Sequence, residues 1–164
     1  MSTNVFAIDL TAGVAAEHRV ADALAADGCT VHPMADGAEP RCDLMAVRDG
    51  HGRSADAWRR AGWVPLQGGS VAALVEVKAC PDAAAHGAVP VELQSRGADS
   101  GIITSLASIW VFALPAALWA IPADRLRDVV YCREGRLTRH GNAICVRVPM
   151  SAIIPFAYVI PENN

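Results

Sequence analysis

The chain has 164 residues, enough for one domain of ordinary size with its own hydrophobic core. Hydrophobic residues make up 52% and charged residues 19%, which excludes a disordered chain. The formal charge of -3 excludes a broadly basic surface, so any contact with nucleic acid must come from a local arginine patch.

In chain order, Met1 to Leu10 lacks the basic region and long apolar stretch of a signal peptide, and a cytoplasmic protein is expected. Residues 12–26 are alanine-rich, preceded by Thr11 as a cap and ended by Asp27-Gly28, which predicts a helix. Val14, Glu17, Ala21 and Leu24 fall on one stripe of it, placing Glu17 among apolar positions. Cys29 to His32 predicts a short strand, and residues 35–41 a polar loop. Cys42 to Val47 predicts a second strand, closed by a turn over Arg48 to Gly52. Residues 53–70, with Trp58, Trp63 and three arginines, read as an insertion or lobe.

The next strand is Ala73 to Lys78, followed by a loop over residues 81–90 and an ordered piece from Val91 to Gln94. No charged residue lies between Asp99 and Asp124, a span long enough to cross a bilayer. It is interrupted by Pro115, and its aromatic and β-branched content predicts two buried strands, 110–114 and 118–121, joined by Pro-Ala-Ala. Pro122 suits a helix N-terminus, and Ala143 to Val148 predicts a final strand. One α/β domain over residues 1–164 is expected, with no membrane span. Five cysteines without a C-x-x-C pair predict free thiols in a reducing compartment.

Lysine occurs once among the fourteen basic residues, at Lys78. Residues i and i+2 of a strand share a face, so Glu76 and Lys78 sit side by side. Lysine is a compact charge with a tunable pKa, whereas arginine is a broad fork that does not lose its proton. Phosphodiester hydrolysis uses a hard divalent cation, and magnesium takes one or two carboxylates plus water and phosphate. Asp43 and Glu76 supply those carboxylates if their strands are adjacent, with Lys78 placed to orient the attacking water or stabilise developing charge. Read blandly, Glu76 and Lys78 form a surface ion pair, Asp43 caps a strand, Glu17 is helix-face charge and Gln94 is a satisfied amide.

The ordered set formed by Glu17 on a helix, then Cys42-Asp43, then Glu76-Val77-Lys78, then Glu92-Leu93-Gln94-Ser95-Arg96-Gly97, resembles the PD-(D/E)XK nuclease superfamily, in particular its small, phage-associated members. Cys42 stands where that superfamily often has proline, and the gap from Asp43 to Glu76 is long. The resemblance spans about residues 12 to 130. It implies a restriction-endonuclease-like mixed central sheet flanked by helices, and a Mg2+- or Mn2+-dependent endonuclease acting on DNA, in phage DNA processing or junction resolution. It implies a homodimer where two strands must be cut. The metal ligands it implies are Asp43, Glu76 and Val77, with Lys78 assisting the water and Gln94, Glu92 and Glu17 supporting the site. An inactive nucleic-acid-binding or protein-interaction module on the same fold is the alternative.

The histidines lack metal-ligand spacing, and Ser95, Ser100, Ser105 and Ser108 have no evident His or Asp partners for serine catalysis. Gly68-Gly69-Ser70 lacks the lysine of a phosphate loop. Arg53, Arg59, Arg60 and Arg96 are candidates for phosphate contact, and Trp58 and Trp63 for core packing or base stacking.

Overall fold

The computed structural model describes residues 3–34, 42–132 and 135–162. The first helix, α1, runs Thr3–Ala26 and passes through Thr11, so it begins well before the predicted cap. Its buried face is Ala16, Val20, Ala23 and Leu24, the i, i+4, i+7, i+8 pattern of an amphipathic helix. The stripe predicted from Val14 is therefore displaced, with Val14 exposed and Glu17 half-buried beside the true one. Gly28, at φ 85°, takes the left-handed turn that ends α1 and that a side chain would resist.

Two sheets follow. The larger contains β1 (Thr30–Pro33), β2 (Leu44–Asp49), β4 (Ser70–Ala79), β7 (Ile109–Leu114), β8 (Ala117–Pro122) and β11 (Tyr158–Ile160) in spatial order, with β3 (Val64–Pro65) paired onto β4. It is mixed, because β4 and β7 run parallel while its other pairs are antiparallel. The smaller is antiparallel, in the order β6 (Ala98–Asp99), β5 (Ala88–Ser95), β10 (Ala143–Pro149), β9 (Arg136–His140). The α/β class and the mixed sheet match the expectation; the second sheet does not follow from it, and neither does β11 at the edge of the larger one. The predicted loop at 81–90 contains a helical turn, α3 (Ala83–His86), and the first residues of β5. The predicted polar loop at 35–41 lies outside the described residues.

Alternation along β4 decides what each face of the large sheet does. Val71, Ala73, Val75 and Val77 are buried against α1, in one core with Val20, Ile109, Val111 and Leu118. Residues 53–70 join this core rather than forming a separate lobe. Ser54 caps α2 (Ala55–Arg60) by accepting from the Ala57 N–H at 3.2 Å, and Trp58 and Trp63 pack edge to face. The Trp58 indole N–H donates to the Gly50 carbonyl at 2.8 Å.

The other face of the large sheet meets the small sheet and α4 (Ala123–Tyr131). Here Trp110, Phe112 and Ile121 pack with Val89, Val91, Val148 and Leu126, all essentially inaccessible to water. Every residue of β7 is buried, which explains its unbroken apolar sequence: it is covered on both faces. The uncharged stretch thus forms a 3-10 turn at Gly101–Ile103 and the β7–β8 hairpin, with Pro115 in the turn and Pro122 just before α4. No helix among the described residues is long and apolar enough to cross a membrane. The C-terminal segment is tied back to α1 by Arg19, whose guanidinium forks onto both carboxylate oxygens of Glu162, at 2.5 and 2.6 Å.

Candidate active site

Glu76 and Lys78 project from β4 on the face opposite α1, toward Trp110 and the small sheet. Their charges meet: Lys78 Nζ lies 2.7 Å from Glu76 Oε1. The Lys78 ammonium also stands 5.6 Å from the centre of the Trp110 ring, within range of a cation–π attraction. The Trp110 indole N–H is buried and has no acceptor among the described residues.

Asp43 arrives from the neighbouring strand. Leu44 pairs with Val75, so Asp43, one residue earlier on the antiparallel strand, is level with Glu76. Asp43 is fastened at both ends: its N–H donates to the Val75 carbonyl at 2.9 Å, and its Oδ2 accepts the Val77 N–H at 2.6 Å. The backbone of the Glu76-Val77-Lys78 run thereby holds the carboxylate of Asp43 against itself.

The charges of the site act on one another. Burial pushes the Glu76 carboxyl up; Lys78 opposes the rise, Asp43 adds to it, and the net value lies above the ordinary one. Burial works against the Lys78 charge, but Glu76, and with it Asp43 and Glu92, outweighs burial and holds the ammonium above its ordinary value. Lys78 is therefore charged at neutral pH, a donor and not a base.

Two carboxylates crowded into a partly buried site hold more negative charge than one lysine neutralises. That donor set fits a hard cation such as Mg2+ or Mn2+, which binds through one or two carboxylates and keeps several waters. Of Val77, only the main-chain carbonyl could contribute, since its side chain is apolar and buried against α1. Among the described residues no three His, Cys, Asp or Glu side chains are grouped so as to cage an ion by themselves.

Glu92, on β5, reaches the site from the small sheet, where it lends its charge to Lys78 and accepts a hydrogen bond from Ser100 Oγ. Gly101 lets the backbone approach it there: a Cβ at this position would lie 2.9 Å from Glu92 Cβ, and φ is 54°. Gln94 lies past the irregularity in β5, and its amide donates to Asp99 at 3.2 Å, near the β5–β6 turn. Glu17 sits on α1, which covers the opposite face of the large sheet.

Ser105 is the residue that serine-protease logic overlooks. It is the one buried polar or charged residue among the described residues, 5% exposed, and its hydroxyl donates to Glu76 Oε2 at 3.4 Å while accepting from the Ala107 N–H at 3.2 Å. Arg127 of α4 donates to the Ser105 carbonyl at 2.9 Å, fixing the segment from behind. Nothing local in the sequence pairs Ser105 with Glu76, because the contact depends on the parallel register of β4 and β7.

The four arginines singled out from the sequence lie in different settings. Arg53 stacks 4.9 Å from the Trp58 ring, and Arg59 pairs with Asp56 at 3.0 Å. Arg60 is exposed on α2, and Arg96 adopts a left-handed conformation in the β5–β6 turn. Trp58 and Trp63, 6% and 4% exposed, serve the core and offer no open ring face for stacking. Comparison with protein-family models, with curated proteins and with solved structures finds no match for this chain.

Proposed function

We propose that this chain is a metal-dependent nuclease of restriction-endonuclease-like fold, an endonuclease that hydrolyses phosphodiester bonds in DNA. The observation that carries the reading is the meeting of Asp43, Glu76 and Lys78: two carboxylates from adjacent strands and a charged lysine on one face.

Asp43 and Glu76 would hold Mg2+ or Mn2+, with the Val77 carbonyl as a third oxygen. When bound, such an ion neutralises phosphate charge and lowers the pKa of water. The protein's own groups do the rest. Lys78, protonated, donates hydrogen bonds to the attacking water or to the phosphoryl oxygen on which charge develops. Ser105 and the Val77 N–H hold the two carboxylates in place, so little reorganisation is needed when charge moves. Glu76, with smaller contributions from Asp43 and Glu92, keeps Lys78 charged. Phage DNA processing, junction resolution and a homodimer cutting two strands are finer forms of the same reading.

An inactive DNA- or protein-binding module is the second reading. The 2.7 Å Glu76–Lys78 pair favours it, since each charge already has a partner without any ligand. Cleavage of labelled duplex, single-stranded and branched DNAs, with and without Mn2+, separates the two. Mn2+-dependent cleavage that Glu76→Gln abolishes is the expected result. Intact DNA across the whole panel would overturn the nuclease reading.

A further inference from the structure

A cavity of about 310 Å³ lies on the α1 side of the large sheet, between the end of α1, the end of β2 and the edge strand β11. Arg48, in its lining, shares a face of β2 with Leu44 and Ala46, which are buried in the core with α1. Asp43 is on the opposite face and roughly 17 Å away along the strand. The cavity uses no residue of the carboxylate centre.

The charged groups of its lining are Arg48, Arg53 and Asp27. Arg48 donates through one nitrogen to Asp27 at 2.6 Å, which leaves the rest of its fork unused by that bond. Arg53 stands over the Trp58 ring at 4.9 Å and is in no ion pair among the described residues. The acids close by in sequence are engaged elsewhere. Asp49 accepts the His51 main-chain N–H at 2.9 Å, Asp56 holds Arg59 at 3.0 Å, and Glu162 holds Arg19. Two guanidiniums against one carboxylate leave one positive charge in the lining.

Tyr158 adds a neutral donor. Burial raises its hydroxyl above the ordinary value, and Trp63, Arg48 and Arg53, which favour the anion, do not cancel that rise. The hydroxyl therefore keeps its proton at neutral pH. Its donor neighbour is the Trp63 indole, and no acceptor among the described residues takes its own proton. Burial likewise keeps the nearby Cys29 thiol protonated, so it adds no charge. Leu24, Ala61, Val159 and Ile160 supply apolar wall. The rings of Trp58 and Trp63 are covered in part by Arg48, 5.6 and 5.9 Å from their centres.

We propose that this cavity binds a small organic acid with an apolar body, its carboxylate held by Arg53, Arg48 and the Tyr158 hydroxyl. A planar carboxylate matches the guanidinium fork, which a point charge would not do as well. One negative charge balances the lining, whereas a phosphomonoester dianion would exceed it. An apolar wall with a few convergent polar groups is the usual make-up of a small-molecule site. The assignment does not depend on the nuclease reading.

The test titrates the protein with acetate, butanoate, hexanoate and phenylacetate, followed by calorimetry and proton–nitrogen correlation spectra. Hexanamide, inorganic phosphate and an acetylated peptide with a free C-terminal leucine are the comparisons. Hexanoate or phenylacetate should shift the indole N–H signal of Trp63 and leave that of Trp110, on the far face of the sheet, in place. Arg53→Ala, at an exposed position, should keep its melting temperature and bind on the order of tenfold more weakly. Arg53→Lys should recover part of that loss, and Tyr158→Phe should weaken binding several-fold. No binding by any acid at millimolar concentration, or equal affinity in Arg53→Ala, would overturn the site. Hexanamide binding as tightly as hexanoate would overturn the recognition of charge. Tighter binding of phosphate would make this an inorganic-anion site, and tighter binding of the peptide a seat for a chain terminus; either would overturn the small-acid assignment.

Discussion

Asp43 Oδ2 accepts the main-chain N–H of Val77 at 2.6 Å, so the carboxylate at the start of β2 is locked onto the residue between Glu76 and Lys78. This one bond couples the register of two strands to the geometry of the candidate centre. A slip of one residue would turn Asp43 to the other face and leave the Val77 N–H without its acceptor.

Asp43→Asn and Asp43→Ala should therefore differ. Asparagine keeps an oxygen for the Val77 N–H, so the fold should lose little stability while affinity for Mn2+ falls with the lost charge. Alanine removes both, and the unpaired N–H should cost a further 1–3 kcal/mol or so. Chemical denaturation together with Mn2+ titration checks this; equal stability of the two variants would contradict the role given to the bond.

Lys78→Ala should reduce cleavage on the order of a hundredfold or more with the fold retained, the size expected for loss of one electrostatic stabiliser. Lys78→Arg should recover little, since a guanidinium does not fit the space of an ammonium between Glu76 and Trp110. Single-turnover cleavage and circular dichroism on both variants make the comparison. Full activity in the arginine variant would remove the catalytic role of Lys78.

The raised value of Glu76 sets a pH dependence for metal binding. A carboxyl raised by folding favours its proton, so its own stabilising contribution is full below the unfolded value of 4.5 and is lost as pH rises through the folded value. A cation needs the carboxylate and must displace that proton, so the increase in melting temperature on adding Mn2+ should be absent near pH 4 and grow as pH rises through the folded value, which lies above 4.5. Thermal melts with and without Mn2+ across that range test it, with Glu76→Gln as the control that shows no such growth.

Gly101→Ala should be strongly destabilising for its size. The positive φ alone costs about 1–2 kcal/mol for a residue with a Cβ, and the added carbon would press on Glu92, whose backbone and Cβ already crowd the position. Denaturation should show a loss above about 2 kcal/mol, and cleavage should fall further than stability requires, because Glu92 must move.

Strand content was legible wherever it rested on local pattern. The unbroken apolar runs of β7 and β8, the alternation that sets Val75 and Val77 opposite Glu76 and Lys78, and the proline before α4 all carry their meaning within a few residues. So does the pairing of Glu76 with Lys78, since i and i+2 share a face in any strand. The start of α1 was misplaced for a related reason: Thr11 has the chemistry of a cap, but α1 runs straight through it from Thr3 to Ala26.

Tertiary structure decided what distant segments do to one another. The division into two sheets, the placement of Ser105 against Glu76 and the influence of Glu92 on Lys78 depend on strand order and register. No local propensity encodes the register between separate strands; it is selected by which faces bury together once the chain has closed on itself. The amino-acid sequence alone specified the chemistry available on β4, and the packing of β2, β5 and β7 around it determined which groups share a site.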